Sequence, residues 1–212
     1  MFEKTVNFDE KNSWKDYKII FKTFTLGAPS PQLVLINVPF RNGSLDETDY
    51  FGDVKYNDRT LSMDFLIHWA EDYPYDIYSN VLNKLNGQRK RIKISADQGW
   101  YYEGRLTVGD LSIDSGFWNF SISAIVDPYK YRDSGYDTTV AGSKTIEVYN
   151  EEMRVVPIVT TSGDISIIQN GTVFNFKEGS SYNPLFKLEP GINSLSITGN
   201  AAISLSYRQG RL

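Results

Sequence analysis

At 212 residues, with 41 % hydrophobic and 23 % charged residues, the chain has the composition of a globular protein with room for one large or two modest domains. It contains no cysteine, which excludes a disulfide framework, a zinc–cysteine centre and a cysteine nucleophile. A net charge of −4, with no basic run longer than Arg89-Lys90-Arg91, disfavours sequence-independent nucleic-acid binding. Aromatic residues reach 14 %, a level that suits sheets and interfaces more than helices. The first residues lack an apolar core of signal-peptide length, and no run approaches the roughly 20 apolar residues of a membrane span. The expectation is a chain made and assembled in a cytoplasm, without membrane insertion.

In chain order, the first predicted element is the aromatic segment from Trp14 to Leu26. Tyr17, Ile19 and Phe21 share one parity, while Ile20, Phe24 and Leu26 share the other. The segment therefore predicts a strand covered on both faces, the second cover coming from within the chain or from a neighbouring subunit. Trp14, Tyr17, Phe21 and Phe24 are the candidate oligomer-contact residues. Gly27-Ala28-Pro29-Ser30-Pro31 breaks the pattern, and a second strand follows over Gln32–Val38. Asn42-Gly43 is a strong turn signal and predicts a hairpin extension. The acidic Asp46-Glu47-Thr48-Asp49 lacks the alternating oxygen ligands and closing Glu of a calcium loop, so it reads as a solvated loop.

Over residues 60–69, Leu61, Met63, Phe65, Ile67 and Trp69 line an apolar face. His68, the only histidine, lies near Asp64 with no nucleophile or metal-ligand spacing, and reads as structural. The pattern Ile77, Val81, Leu82, Leu85 predicts one helix over about 74–86. Pro74 stands in its first turn and Asn86-Gly87 at its end. From Lys90 to Arg132 the chain reads as a three-stranded antiparallel meander, with turns at Asp97-Gln98-Gly99 and Asp114-Ser115-Gly116. Trp118, Phe120, Ile122, Ala124 and Val126 form the clean inward face of its last strand. In the middle strand, apolar parity switches between Val108 and Leu111, which predicts a β-bulge or bend at Gly109.

The polar, Gly-containing stretch 133–143 reads as a linker. Beyond it, seven short strand-like runs are expected: Lys144–Tyr149, Arg154–Thr161, Asp164–Gln169, Thr172–Lys177, Pro184–Leu188, Ile192–Thr198 and Ala201–Tyr207. Their Gly and Pro punctuation is that of a small antiparallel sandwich. The whole is thus mainly β. Residues 1–132 form an N-terminal β-sandwich with one α-helix and a β-hairpin extension, and residues 144–212 a small C-terminal β-sandwich.

No catalytic motif emerges: there is no HExxH, no G-x-S-x-G, no phosphate-binding loop and no GxGxxG. No catalytic, metal or cofactor site is expected, and the chain is read as a non-enzyme. A carbohydrate-binding adhesion module of two sandwiches is a rival reading, because aromatics can stack on sugar rings. All four Trp lie in the first 118 residues, with Trp69 and Trp118 on core faces. The candidate glycan contacts are therefore Tyr149 and Tyr182.

Several segments, in their order, resemble the distal tail protein (Dit) family of long non-contractile-tailed bacteriophages. They are Val38-Pro39-Phe40-Arg41-Asn42-Gly43 with Leu45-Asp46, the run from Tyr56 through Arg59-Thr60-Leu61-Ser62-Met63-Asp64-Phe65, and the helix ending Leu85-Asn86-Gly87. Trp100-Tyr101-Tyr102-Glu103-Gly104-Arg105-Leu106 and the strand closing on Asp127-Pro128-Tyr129-Lys130 complete the set. The resemblance implies a structural virion protein at the phage tail tip. Its N-terminal domain would form a homo-hexameric ring, or two stacked rings, with a channel for DNA. The ring would join the tail tube protein to tail-tip or lysin-type proteins. A galectin-like C-terminal sandwich would offer a place for receptor-binding proteins. Net negative charge suits a channel that DNA traverses without sticking.

Overall fold

The computed structural model describes residues 4–50, 52–68, 73–114 and 116–212. Trp69, expected in the core, lies outside these residues. The chain divides into two compact units, Met1–Pro128 and Tyr129–Leu212. No helix among the described residues is long and apolar enough to cross a membrane.

The first unit contains β1 (Val6–Phe8), β2 (Lys11–Asn12), β3 (Ile20–Leu26), β4 (Leu35–Asn37), β5 (Ser44–Asp46) and β6 (Arg59–Ile67). Then come α1 (Pro74–Leu85), β7 (Arg89–Ile94), β8 (Tyr102–Val108), β9 (Ser112–Asp114) and β10 (Phe117–Val126). One antiparallel sheet runs in the order β2-β1-β7-β8-β10-β6-β3, with β9 added on β10. The expected meander is β7-β8-β10, and its turn glycines Gly99 and Gly116 take φ of +83° and +82°. Among the described residues, β4 and β5 pair only with each other.

This single sheet makes a sandwich by curling over. β1 and β6 are four strands apart, about 19 Å if the sheet were flat. Yet the Phe8 and Phe65 rings have centroids 6.2 Å apart. The inward residues of both ends therefore meet: Val6, Phe8, Ile92 and Ile94 on one side, Leu61, Met63, Phe65 and Ile67 on the other, all buried. The helix closes the same core through Val81 and Leu85, with Ile77 and Leu82 half-buried against it. Tyr78 stacks edge-on to Phe120 and donates its hydroxyl to the Gly109 carbonyl at 2.8 Å.

The break at Gly109 is the expected bulge. Val108 pairs with Ile122, but Ser112 pairs with Asn119, so three residues on one strand oppose two on the other. Gly109 N–H donates to the Ser121 carbonyl at 2.8 Å, and a Cβ there would come within 2.8 Å of Ser121 Oγ.

A second bulge was not legible in the sequence. Phe21 pairs with Phe65 and Thr23 with Asp64, so the register slips by one at Lys22. The extra residue turns Phe24 and Leu26 onto the same face as Phe21, where both pack against the core. The segment is thus one-faced, not covered on two sides. Nor is it a strand from Trp14: the Asn12 side chain accepts from the N–H groups of Trp14 and Lys15 and holds Trp14–Tyr17 in a turn.

The second unit contains β11 (Lys130–Asn150), β12 (Ile158–Thr161), β13 (Ile165–Gln169), β14 (Thr172–Phe176), β15 (Gly179–Tyr182) and β16 (Gly191–Arg211). β11 and β16 pair without interruption from Lys130↔Arg211 to Asn150↔Gly191. The expected linker at 133–143 is therefore strand, and the chain enters this unit at Tyr129 rather than after 132. Backbone hydrogen bonds need no apolar side chain, so a polar run can sit in a ladder with one face in water.

A straight ladder of that length would run about 70 Å at ~3.3 Å per residue. Gly142 and Gly199 lie directly opposite each other, with φ of +84° and +148°, and give a bending point that other residues rarely adopt. On one side of it β16 pairs with β13, on the other with β12. The two halves become the two layers of a sandwich around Val148, Val159, Ile167, Leu195 and Leu205.

Pro184–Leu188, expected as a strand, makes only a single bridge among the described residues, from Leu188 to Val155, and side chains hold it as well. Asn150 Nδ2 donates to the Leu188 carbonyl at 3.1 Å, and Gln169 Nε2 donates to that of Lys187 at 2.7 Å. The run is apolar because Phe186 and Leu188 plug the core, where Phe186 meets the rings of Phe174 and Phe176.

Candidate assembly surface

Between Phe21 and Arg59 no described residue is buried. The segment leaves the sheet at Gly27, whose N–H donates to Thr60, and returns at Tyr56, bridged to Pro31. What lies between is an arm built on the β4–β5 hairpin. Ser30 and Asn57 tie its base through backbone and side-chain hydrogen bonds of 2.8 and 3.1 Å. Higher up, Gln32 N–H donates to Lys55 O and Glu47 N–H to Val34 O, at 2.8 and 2.9 Å. Val34 N–H donates to Thr48 Oγ1 at 3.0 Å.

Hydrogen bonds hold this arm; an apolar core does not. Leu33, Val34, Leu35, Ile36, Val38 and Tyr50 expose between 37 % and 71 % of their surface. Phe40, at the tip, is fully exposed. A run of adjacent apolar residues on a hairpin that leaves its sheet is an unusual surface for a protein that acts alone. β-forming side chains with both faces in water gain little from burial within the chain.

The acidic residues of the arm do structural work. The Asp46 carboxylate accepts the Thr48 N–H at 3.0 Å, and hydrogen bonding by Thr48 holds Asp46 below its ordinary pKa. Asp46 thereby caps the turn that follows β5.

The residues singled out as oligomer contacts fall elsewhere. Tyr17 and Phe21 are buried in the first unit, Tyr17 edge-on to Phe8 and Phe21 against Phe65. Phe24 is half-buried and stacks on Phe21 at 6.3 Å. Trp14 is half-buried under the ammonium of Lys18. A charge at Phe21 would therefore act on folding, because that ring is buried within its own unit. The signal that could have found the arm was present: Leu33 to Ile36 is an unbroken apolar run between Pro31 and Asn42-Gly43, too short and too two-faced to sit in a half-buried sheet.

Tyr149 and Tyr182 are both exposed. They do not form one platform. Val148 and Asn150 point into the core, so Tyr149 points out from its layer. Tyr182 is in register with Ile158 and, through it, with Ser206 of the opposite layer, where Leu205 and Tyr207 point inward. The two rings face away from each other. Asp64 is exposed and His68 half-buried, so that strand face encloses no base.

No family model matches the chain, and no curated protein matches it in sequence. Among solved structures it is similar to the Dit protein (gp 19.1) of phage SPP1, described as a paradigm of the hub adsorption apparatus in phages infecting Gram-positive bacteria. The TM-score is 0.70 at 15 % identity, over 99 % of each chain. At that identity the likeness is one of fold, and it spans both units. A conserved Pseudomonas aeruginosa PAO1 protein of unknown function aligns over 90 % of this chain and 100 % of its own. Its TM-score of 0.30 and 9 % identity carry no argument.

Proposed function

We propose that the chain is a structural hub of a phage tail tip, acting by assembly rather than by chemistry. The observation that carries this reading is the full-length fold likeness to SPP1 Dit, coupled to an apolar arm that the chain itself leaves uncovered. The N-terminal unit forms a hexameric ring, single or stacked in pairs, around a channel for DNA. The ring links the tail tube protein to tail-tip or lysin-type proteins. The C-terminal unit, a galectin-like sandwich on this reading, supplies a docking platform for receptor-binding proteins. The chain works in the virion and is assembled in the host cytoplasm.

The physical logic lies in where apolar surface is left. A monomeric adhesin would cover Leu33–Val38 or replace those residues with polar ones. A ring subunit keeps them, because burial against a neighbour is what drives the ring together. Tyr149 and Tyr182 point away from each other, so the glycan-binding alternative would rest on a single exposed ring rather than on a shared platform. Light scattering on a sizing column tests the proposal. A mass of about six or twelve chains supports a closed ring. A monomer at every concentration overturns it.

A further inference from the structure

The arm carries both a knob and a hole. The knob is Phe40, fully exposed at the hairpin tip with φ of +65°. A bulky residue in the left-handed region is strained, and nothing packs on this one to hold it there. The hole is a cleft of about 540 Å³ near the base of the same arm, walled by Val34, Ile36 and Tyr50. Glu47, Asp53 and Lys55 complete its rim. Phe40 does not fill its own cleft, since its ring is entirely in solvent.

We infer that the Phe40 ring of one copy inserts into the Val34–Ile36–Tyr50 cleft of the next. The occupant is a second copy because the charges match. Arg41 flanks the knob, while Glu47 and Asp53 outnumber Lys55 at the cleft. Among the described residues, neither Arg41 nor Glu47 has an ion-pair partner in its own chain. Insertion of the ring would bring Arg41 of one copy against Glu47 of its neighbour. A knob and a hole on one arm can join head-to-tail, which repeats around a ring, or reciprocally in a two-fold pair, where each knob fills the other's hole. The ring-forming reading selects the head-to-tail contact, and a double cysteine variant that stops at dimers would overturn it. This inference rests on the ring-forming reading and names how its subunits join.

The test uses the full chain, whose lack of cysteine makes introduced thiols unique. Phe40→Ala and Phe40→Asp should raise the half-assembly concentration at least about tenfold, as loss of a buried aromatic anchor does. Taken below the parent's half-assembly concentration, their circular dichroism melting curves should match the parent, since assembly itself raises the melting point. The double variant R41C/E47C, treated with a short bismaleimide, should give a covalent ladder from two chains to six. R41C and E47C alone should give no dimers, and a mixture of the two should give dimers only. Dimers from R41C alone would mean tip-to-tip pairing and overturn the contact. So would a ring-sized parent mass with no ladder, or with Phe40→Ala assembling undiminished; both leave the ring itself standing. A parent chain that stays monomeric and yields no cross-link overturns ring and contact together.

Discussion

Two apolar segments of the first unit look alike in sequence and end in opposite places. Ile20–Leu26 carries apolar residues on both parities, as does Leu33–Val38. In the first, the bulge at Lys22 rotates the second half of the strand so that Phe21, Phe24 and Leu26 all meet the core. In the second, no sheet lies alongside; the strand pairs only with its own hairpin partner and stays in water. Apolar content is thus no guide to whether a segment belongs to the core or to an interface. What decides is whether the backbone can bring all its apolar side chains to one face of a larger sheet.

The largest effect that would sharpen this contrast is at Phe21. Phe21→Ala removes a ring packed on Phe65 and should cost about 3–5 kcal/mol of the first unit's stability. All four Trp lie in the first 118 residues, so tryptophan fluorescence during urea unfolding reports on that unit alone. A loss below about 1 kcal/mol would return Phe21 to the list of interface residues.

Deleting Lys22 is the next test, because it removes the extra residue without touching an apolar side chain. Thr23 would then follow Phe21 directly, and Phe21, Phe24 and Leu26 would stand at alternate positions opposite Phe65, Met63 and Leu61, still facing the core. The deletion and Lys22→Ala should both change the stability of the first unit by less than about 1 kcal/mol. Inserting one Ala after Lys22 instead turns Phe24 and Leu26 outward, at a cost of about 2 kcal/mol for two half-buried side chains. An insertion as mild as the deletion would mean that the bulge does not set the face.

At the opposite edge of the same sheet, Asp9 receives a 2.8 Å bond from Lys90 Nζ. Burial alone would raise the Asp9 pKa, but hydrogen bonds from Lys90 and from Arg91 N–H outweigh it and leave the value lowered. A carboxyl lowered on folding contributes stability above its unfolded pKa and loses it as pH falls through the folded one. Asp9→Asn should therefore cost about 0.5 kcal/mol near neutral pH and nothing in strong acid, where the parent has already lost the pair. A pH-independent difference would show that the pair contributes nothing.

The smallest effect on stability is expected in the arm. Leu35→Ala should change the unfolding free energy by no more than about 0.5 kcal/mol, because the side chain is already in water. The same variant should lower the assembled mass. A clear loss of monomer stability would place the arm in a core and end the contrast with β3.

Much of the architecture could be read directly from patterning. The inward face of β10, the helix at Pro74–Leu85 and the one-residue bulge at Gly109 all follow from side-chain period, and period is a local property. The slip at Lys22 was invisible because both parities of Ile20–Leu26 are apolar, and a bulge can be read only where parity changes against a polar background. The strand through 133–143 was missed for a related reason. Asp133, Gly135, Asp137 and Thr139 sit on an exposed face, and the partners of 133–143, at Arg208 to Thr198, lie 55 to 75 residues away in the chain. The arm was half legible: its turn at Asn42-Gly43 and its strand were expected, but its role as the exposed surface was assigned to Trp14–Phe24 instead.

The β class, the single helix and the positions of most turns follow from local order in the chain, because each depends on spacing within a few residues; composition alone excludes cysteine chemistry. Which apolar side chains are core and which stay in water became clear from the fold alone. Burial is a property of what lies across the gap, and a one-residue bulge or a hairpin that leaves its sheet changes that neighbour without changing the local pattern.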